Sequence, residues 1–208
     1  MEFLTDAYDS ERLKTLSVWS LVTDDQMEFR AAPRARTPHE HMVHQCVSED
    51  TWMRAMLDVQ PTHPALPPSE DRLAFLSHYA DTSAERLRQL RQRDTTWWNG
   101  TARFFDVDRT RAWIMLRRLT HSAHHRGQFT TILRLLGAPM YSTYGPTADT
   151  GGLFVNAAPT IYRYPSVDAL RAAEARGGEW PPLPGPGAKS PTERPEIRES
   201  TPNPVLPT

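Results

Sequence analysis

The sequence predicts an all-α fold: a four-helix bundle followed by a Pro-rich, irregular C-terminal extension. Three observations carry this. Four segments place apolar residues at alternating spacings of three and four, the period of a helix with one buried face, and capping or helix-stopping residues bound them. No segment alternates apolar and polar residues in the manner of a half-buried strand. Eleven of the 19 prolines fall within residues 156–208, where so many missing backbone N–H groups and fixed φ angles prevent helix continuation.

The elements follow in order. The first helix is expected over residues 6–23, with Leu13, Leu16 and Leu21 sharing a face with the small Ser17 and Ser20. The second opens at Thr37-Pro38-His39-Glu40 and runs through His44 and Trp52 to about residue 57. There Thr37 caps, Pro38 suits the first helical position and Glu40 completes a capping box. A Pro-rich loop spans residues 60–68, and a third helix opens near Ser69 with the stripe Leu73, Leu76, Ala80, Ser83, Leu87 and Leu90. Residues 94–106 read as a loop whose Trp97, Trp98, Phe104 and Phe105 cover one end of the core. The fourth helix starts near Asp108 as its cap and runs to Leu136, where Gly137 takes the C′ position and Pro139 follows.

The bundle occupies residues 1–155 and the extension residues 156–208. Within the extension, residues 166–176 form one short helix ending at Gly177-Gly178. The remainder is expected to be extended or disordered, because its composition cannot build a core.

Charge is balanced, with 24 basic against 25 acidic residues, which argues against a nucleic-acid partner. The densest basic run, residues 86–93, reads as a solvated helix face. The single cysteine, Cys46, permits no intrachain disulfide and fits a reducing compartment. The first residues carry no secretory signal, and no stretch approaches the roughly 18 apolar residues of a membrane span. The expectation is a cytoplasmic protein with no membrane partner.

The chemistry concentrates in His121-Ser122-Ala123-His124-His125-Arg126-Gly127-Gln128. On a helix, His121 and His125 stand one turn apart on one face and can share a metal ion, whereas His124 points about 60° away from His121. A third ligand would come from the second helix, where His39, His41 and His44 are the candidates. His44 is read as the deepest, on a stripe with Ser48, Thr51 and Ala55, and His39 and His41 as first-turn residues open to solvent. Cys46 points about 200° from His44 and reads as a small buried hydrophobe. Three imidazoles would leave open coordination positions, as at catalytic sites, and suit zinc, nickel or iron(II). Gly127, unfavourable in a helix interior, suggests close approach of a neighbouring element. Arg126 and Gln128 read as structural or supporting groups. Glu49 and Asp50 read as a solvated pair, so no general base is assigned.

With these residues in view, residues 1–150 resemble the DinB/YfiT-like family of metal-binding four-helix bundles. The resemblance rests on His121-x3-His125-Arg126-Gly127-Gln128, on His44-Gln45-Cys46-Val47-Ser48-Glu49-Asp50-Thr51-Trp52, and on a Tyr144-Gly145-Pro146 loop. It implies a metal triad of His44, His121 and His125, a divalent ion (nickel or zinc, with iron admitted) and water in the remaining positions. It also implies a homodimer, to which the apolar Leu116, Leu119 and Ala123 on the far side of the last helix would contribute. A central helix within one bundle accounts for those three residues equally well. The family includes thiol S-transferases and isomerases that use low-molecular-weight thiols. The expected function is therefore metal-dependent activation of a thiol or water, of thiol S-transferase or hydrolase type. The alternatives are a non-catalytic metal-binding stress-response module and a structural bundle whose histidines satisfy one another. The long Pro-rich tail departs from the family pattern.

Overall fold

The computed structural model describes residues 1–140, 149, 161, 163–178 and 182. The Tyr144-Gly145-Pro146 loop and nearly all of the chain beyond residue 178 lie outside the described residues. The elements are α1 (Glu2–Trp19), a 3-10 turn (Asp24–Gln26), α2 (Pro38–Leu57), α3 (Arg72–Arg91), α4 (Thr95–Asn99), β1 (Thr101–Phe104), β2 (Val107–Thr110), α5 (Arg111–Leu135) and α6 (Val167–Ala175). Helices α1, α2, α3 and α5 form the bundle, with α1 packed on α3 and α5, and α2 packed on α5 and α3. No helix among the described residues is long and apolar enough to cross a membrane.

The start of α2 and the end of α5 follow their sequence signals, whereas α1 spans Glu2–Trp19 and not residues 6–23. At the start of α2, the Glu40 N–H donates to Thr37 Oγ1 at 3.1 Å and the Thr37 N–H donates to Glu40 Oε2 at 2.9 Å. That reciprocal pair satisfies two N–H groups that the first helical turn leaves without partners. At the end of α5, Gly137 has φ +68°, and the Gly137 and Ala138 N–H groups donate to the Arg134 and Leu133 carbonyls. This is a Schellman closure, for which a residue without a Cβ is best suited.

The stretch expected to be one loop, residues 94–106, is instead α4 followed by the start of a hairpin, in which β1 pairs antiparallel with β2 from Thr101↔Thr110 to Phe104↔Val107. Each strand has only four residues, and β2 is exposed throughout, so apolar alternation could not reveal it. The hairpin also moves the start of α5. Its cap is Thr110, whose hydroxyl accepts from the Trp113 N–H, and not Asp108, which pairs with Arg103 across the strands.

Two apolar clusters fill the bundle. One contains Leu16, Trp19, Met42, Phe75, Tyr79, Phe129 and Leu133. The other contains Leu4, Tyr8, Trp52, Met53, Leu57, Leu87, Trp98, Ile114 and Met115. Burying each large side chain contributes about 1.5–3 kcal/mol. On each long helix, buried polar residues fall between the positions that serve the two clusters: Thr15 on α1, Glu49 on α2, Ser83 and Arg86 on α3, and Ser122, His125 and Arg126 on α5. A polar belt thus crosses the middle of the bundle.

The short helix expected in the extension is present as α6, with Ser166 Oγ capping the Ala169 N–H at 3.1 Å. Ile161, Tyr164, Leu170 and Ala173 join the first apolar cluster, and Arg72 on α3 pairs with Glu174 at 2.5 Å. This part of the extension therefore packs on the bundle.

Candidate metal centre

The three histidines named above converge in the polar belt. His121 and His125 project from adjacent turns of α5, and His44 faces them from α2. His44 Nε2 lies 2.9 Å from His125 Nε2, which lies 3.2 Å from His121 Nε2. One nitrogen from each ring falls within 4.8 Å of the others, a spacing at which three imidazoles can hold one metal ion.

Tautomer and charge state suit a ligand role. His125 Nδ1 is 2.9 Å from Gln128 Oε1. Facing an amide oxygen, Nδ1 carries the proton, which leaves the Nε2 lone pair directed at the other two rings. Burial, reinforced by the Arg118 guanidinium, lowers the pKa of His121 to about 3. Burial and the neighbouring His44 lower that of His125 to about 4. Burial and the charge of Arg36 also depress His44. All three rings are therefore neutral at pH 7, the form that binds metal.

The other candidates separate. His124 is exposed although its ring lies 5.1 Å from that of His125. His39 hydrogen-bonds Glu70 at 2.6 Å, away from the three rings. Cys46 is buried, and burial pushes its thiol up to about 12, which keeps it protonated. His41 differs from expectation: it is 3% exposed and more buried than His44, because its ring packs between Phe129 and His125. Helical position alone does not reveal that α5 covers this first turn. Along the His44 stripe, Thr51 and Ala55 are exposed, while Ser48 Oγ accepts from Arg118.

Two further expectations fail. Among the described residues, a Cβ at Gly127 would meet nothing within 4 Å, so no close approach requires this glycine. Glu49 and Asp50 are not a solvated pair. Glu49 is fully buried and accepts from Tyr8 Oη at 2.5 Å, Tyr79 Oη at 3.1 Å, and Arg86 and Arg118 at 3.3 Å each. Asp50 accepts from Arg86 at 3.1 Å and from Arg54 at 2.9 Å. Arg86, the first residue of the run read as a solvated face, is 1% exposed inside this network. Arg126 is structural, paired with Glu11 on α1 at 2.5 Å.

Arg118 joins the carboxylate network to the histidines. It is fully buried, donates to Ser48 Oγ at 2.9 Å, and lies 5.7 Å from the Trp52 ring centroid. Trp52 in turn stands 5.6 Å from His121 and 5.2 Å from Phe104 of the hairpin. The sequence signal for Arg118 was its place one turn before His121, on the face that also carries His125. With Glu49 and Asp50 committed to arginines, no general base is assigned beside the histidines.

The comparisons with known proteins agree with this architecture. The DinB family model matches residues 4–151. A crystal structure of a DinB-like protein from Bacillus cereus ATCC 10987 superposes with a TM-score of 0.63 at 16% identity, covering 69% of this chain and 97% of that one. A DinB-like protein from Bacillus subtilis, YjoA, superposes with a TM-score of 0.55 at 15% identity, covering 67% and 97%. At such identities these structures speak to the fold alone. No curated protein matches the chain. The family match over most of the chain, together with the helical bundle and its histidine cluster, makes the protein a member of the DinB family.

Proposed function

We propose that His44, His121 and His125 ligate one divalent metal ion, nickel or zinc in the first place with iron admitted, and that the protein is a metal-dependent enzyme acting on a thiol or water. The observation that carries this reading is the convergence of three neutral imidazole nitrogens within 4.8 Å. In such a site a divalent ion lowers the pKa of a bound thiol or water. The chain's own contribution is orientation and charge. Gln128 holds the His125 tautomer, Arg118 adds positive charge beside His121, and Trp52 shields one side of that ring.

The partner in this reading is a second copy of the chain. Trp113 and Leu116 on α5, at 39% and 51% exposure, and Phe105 and Val107 on the hairpin, at 67% and 38%, supply exposed apolar surface, whereas Leu119 is buried in the bundle. Light scattering on the purified protein is expected to give twice the monomer mass, and a strict monomer removes the homodimer.

The direct test of function is metal analysis of protein purified without a histidine tag, followed by turnover of a low-molecular-weight thiol with an electrophilic chloroarene. One equivalent of nickel or zinc with thioether formation supports the enzyme. One equivalent without turnover of thiol or ester leaves the non-catalytic metal-binding module. Absence of bound metal, with no rebinding on titration, removes both.

A further inference from the structure

A cavity of about 500 Å³ lies beside the histidine centre, between the segment that leads into α2, the first turn of α2 and the C-terminal half of α5. Its composition differs from that of the centre. Arg34 and Arg36 line it, and no carboxylate does among the described residues. Ile132 and Leu135 supply an apolar wall, and Leu135 is 62% exposed. His41 and Gln128 also line the cavity. His41 is 3% exposed, and its Nδ1 has no hydrogen-bond partner among the described residues. A buried ring nitrogen without a partner is costly unless something else supplies one.

We propose that this cavity binds a small organic anion, its acid group held by Arg34 and Arg36 and its aliphatic body laid along Ile132 and Leu135. Guanidinium groups present planar forks of donors that match carboxylate and phosphate oxygens. Two of them, with no carboxylate lining the cavity among the described residues, favour a negative ligand, and the apolar wall favours an organic anion over a hydrated inorganic one. The volume suits a small molecule. The proposal is independent of metal binding, since none of His44, His121 and His125 lines the cavity. It adds a consequence for the centre: a ligand here adjoins Gln128, the residue that holds the tautomer of His125.

The test is calorimetric titration of the full chain with sodium octanoate, octan-1-ol and inorganic phosphate. Saturable octanoate binding is expected, with octan-1-ol and inorganic phosphate each at least about tenfold weaker. Arg34→Ala/Arg36→Ala, which alters two exposed side chains, is expected to weaken octanoate at least about tenfold. His44→Ala is expected to leave octanoate affinity within about twofold while losing metal. No saturable octanoate binding by the wild type, equal affinity in the double variant, or equal binding of octan-1-ol or phosphate would each overturn the proposal. Loss of octanoate binding in His44→Ala would also overturn it, by showing that the carboxylate is a metal ligand. Circular dichroism of each variant separates loss of fold from loss of binding, and an unfolded double variant is replaced by Arg34→Gln/Arg36→Gln. A protein that binds octanoate but no metal keeps this inference and removes the metal reading.

Discussion

The carboxylate network draws on all four bundle helices and the histidine centre on α2 and α5 alone, and they solve opposite problems. In the network, Glu49 on α2 receives two tyrosine hydroxyls and two guanidinium groups, and Arg118 on α5 donates to both Ser48 and Glu49. Burial, then the Glu49 charge, raises the pKa of Tyr8 and Tyr79 well above ordinary tyrosine values, so both stay protonated donors. In the centre, His44 on α2 meets His121 and His125 with nitrogens facing nitrogens. With its proton on Nδ1, His125 Nε2 has one lone pair, so it can accept fully from only one of the two rings that face it. A buried polar cluster whose donors and acceptors match is a structural device. One whose ring nitrogens converge can hold a cation.

This contrast can be broken most sharply at Glu49. Glu49→Leu leaves Arg86 and Arg118 buried without their carboxylate and is expected to cost about 3–5 kcal/mol in urea unfolding. A loss no larger than that of a surface substitution would mean that the network does not hold the bundle. His44→Ala, His121→Ala and His125→Ala are expected to do the reverse. Each should retain less than about a tenth of an equivalent of metal, while the metal-free variants lose far less stability than Glu49→Leu. Unchanged metal content in all three would make the histidines a structural cluster instead. Gln128→Leu keeps all three ligands but frees the His125 ring, and is expected to weaken metal binding roughly 10–100-fold in competition with a chelator.

The remaining expectations are smaller. The folded-state pKa values of His121 and His125 lie near 3 and 4, below the unfolded value of 6.5. The folded state therefore binds fewer protons than the unfolded state between those limits. The associated stability is intact above pH 6.5 and is lost as pH falls toward 4 and 3. For metal-free protein, the melting temperature should fall over this window, and fall less in His121→Gln. An equal fall in both proteins would place the acid sensitivity elsewhere. Gly127→Ala is expected to stabilise the protein by about 1 kcal/mol, because a Cβ there meets nothing within 4 Å among the described residues. Destabilisation would reveal a contact at that position.

Local signals carried much of the fold. Thr37-Pro38-His39-Glu40 and Gly137 marked helix ends because caps depend on residues three or four apart. The four-residue strands of the hairpin carried no such signal, since an exposed strand has no apolar alternation to read. In the centre, His121 and His125 were legible because their spacing is fixed by one helix. His44 was singled out from three histidines by its expected depth on α2, and the family resemblance implied the same triad; the depth argument misjudged His41, because which turn of α2 faces which turn of α5 is not written in either helix.

The same division runs through the whole molecule. By itself, the sequence determined the four long helices, the start of α2, the end of α5, the short helix of the extension and the pair of rings on α5, all of which are set by interactions within one or two turns. Only the tertiary structure decided that Glu49 and Arg86 are buried partners rather than solvated charges, that His41 is buried and borders a cationic cavity, and that Gln128 orients His125. Those facts depend on packing between helices far apart in sequence, where burial changes what a charge or a lone pair requires.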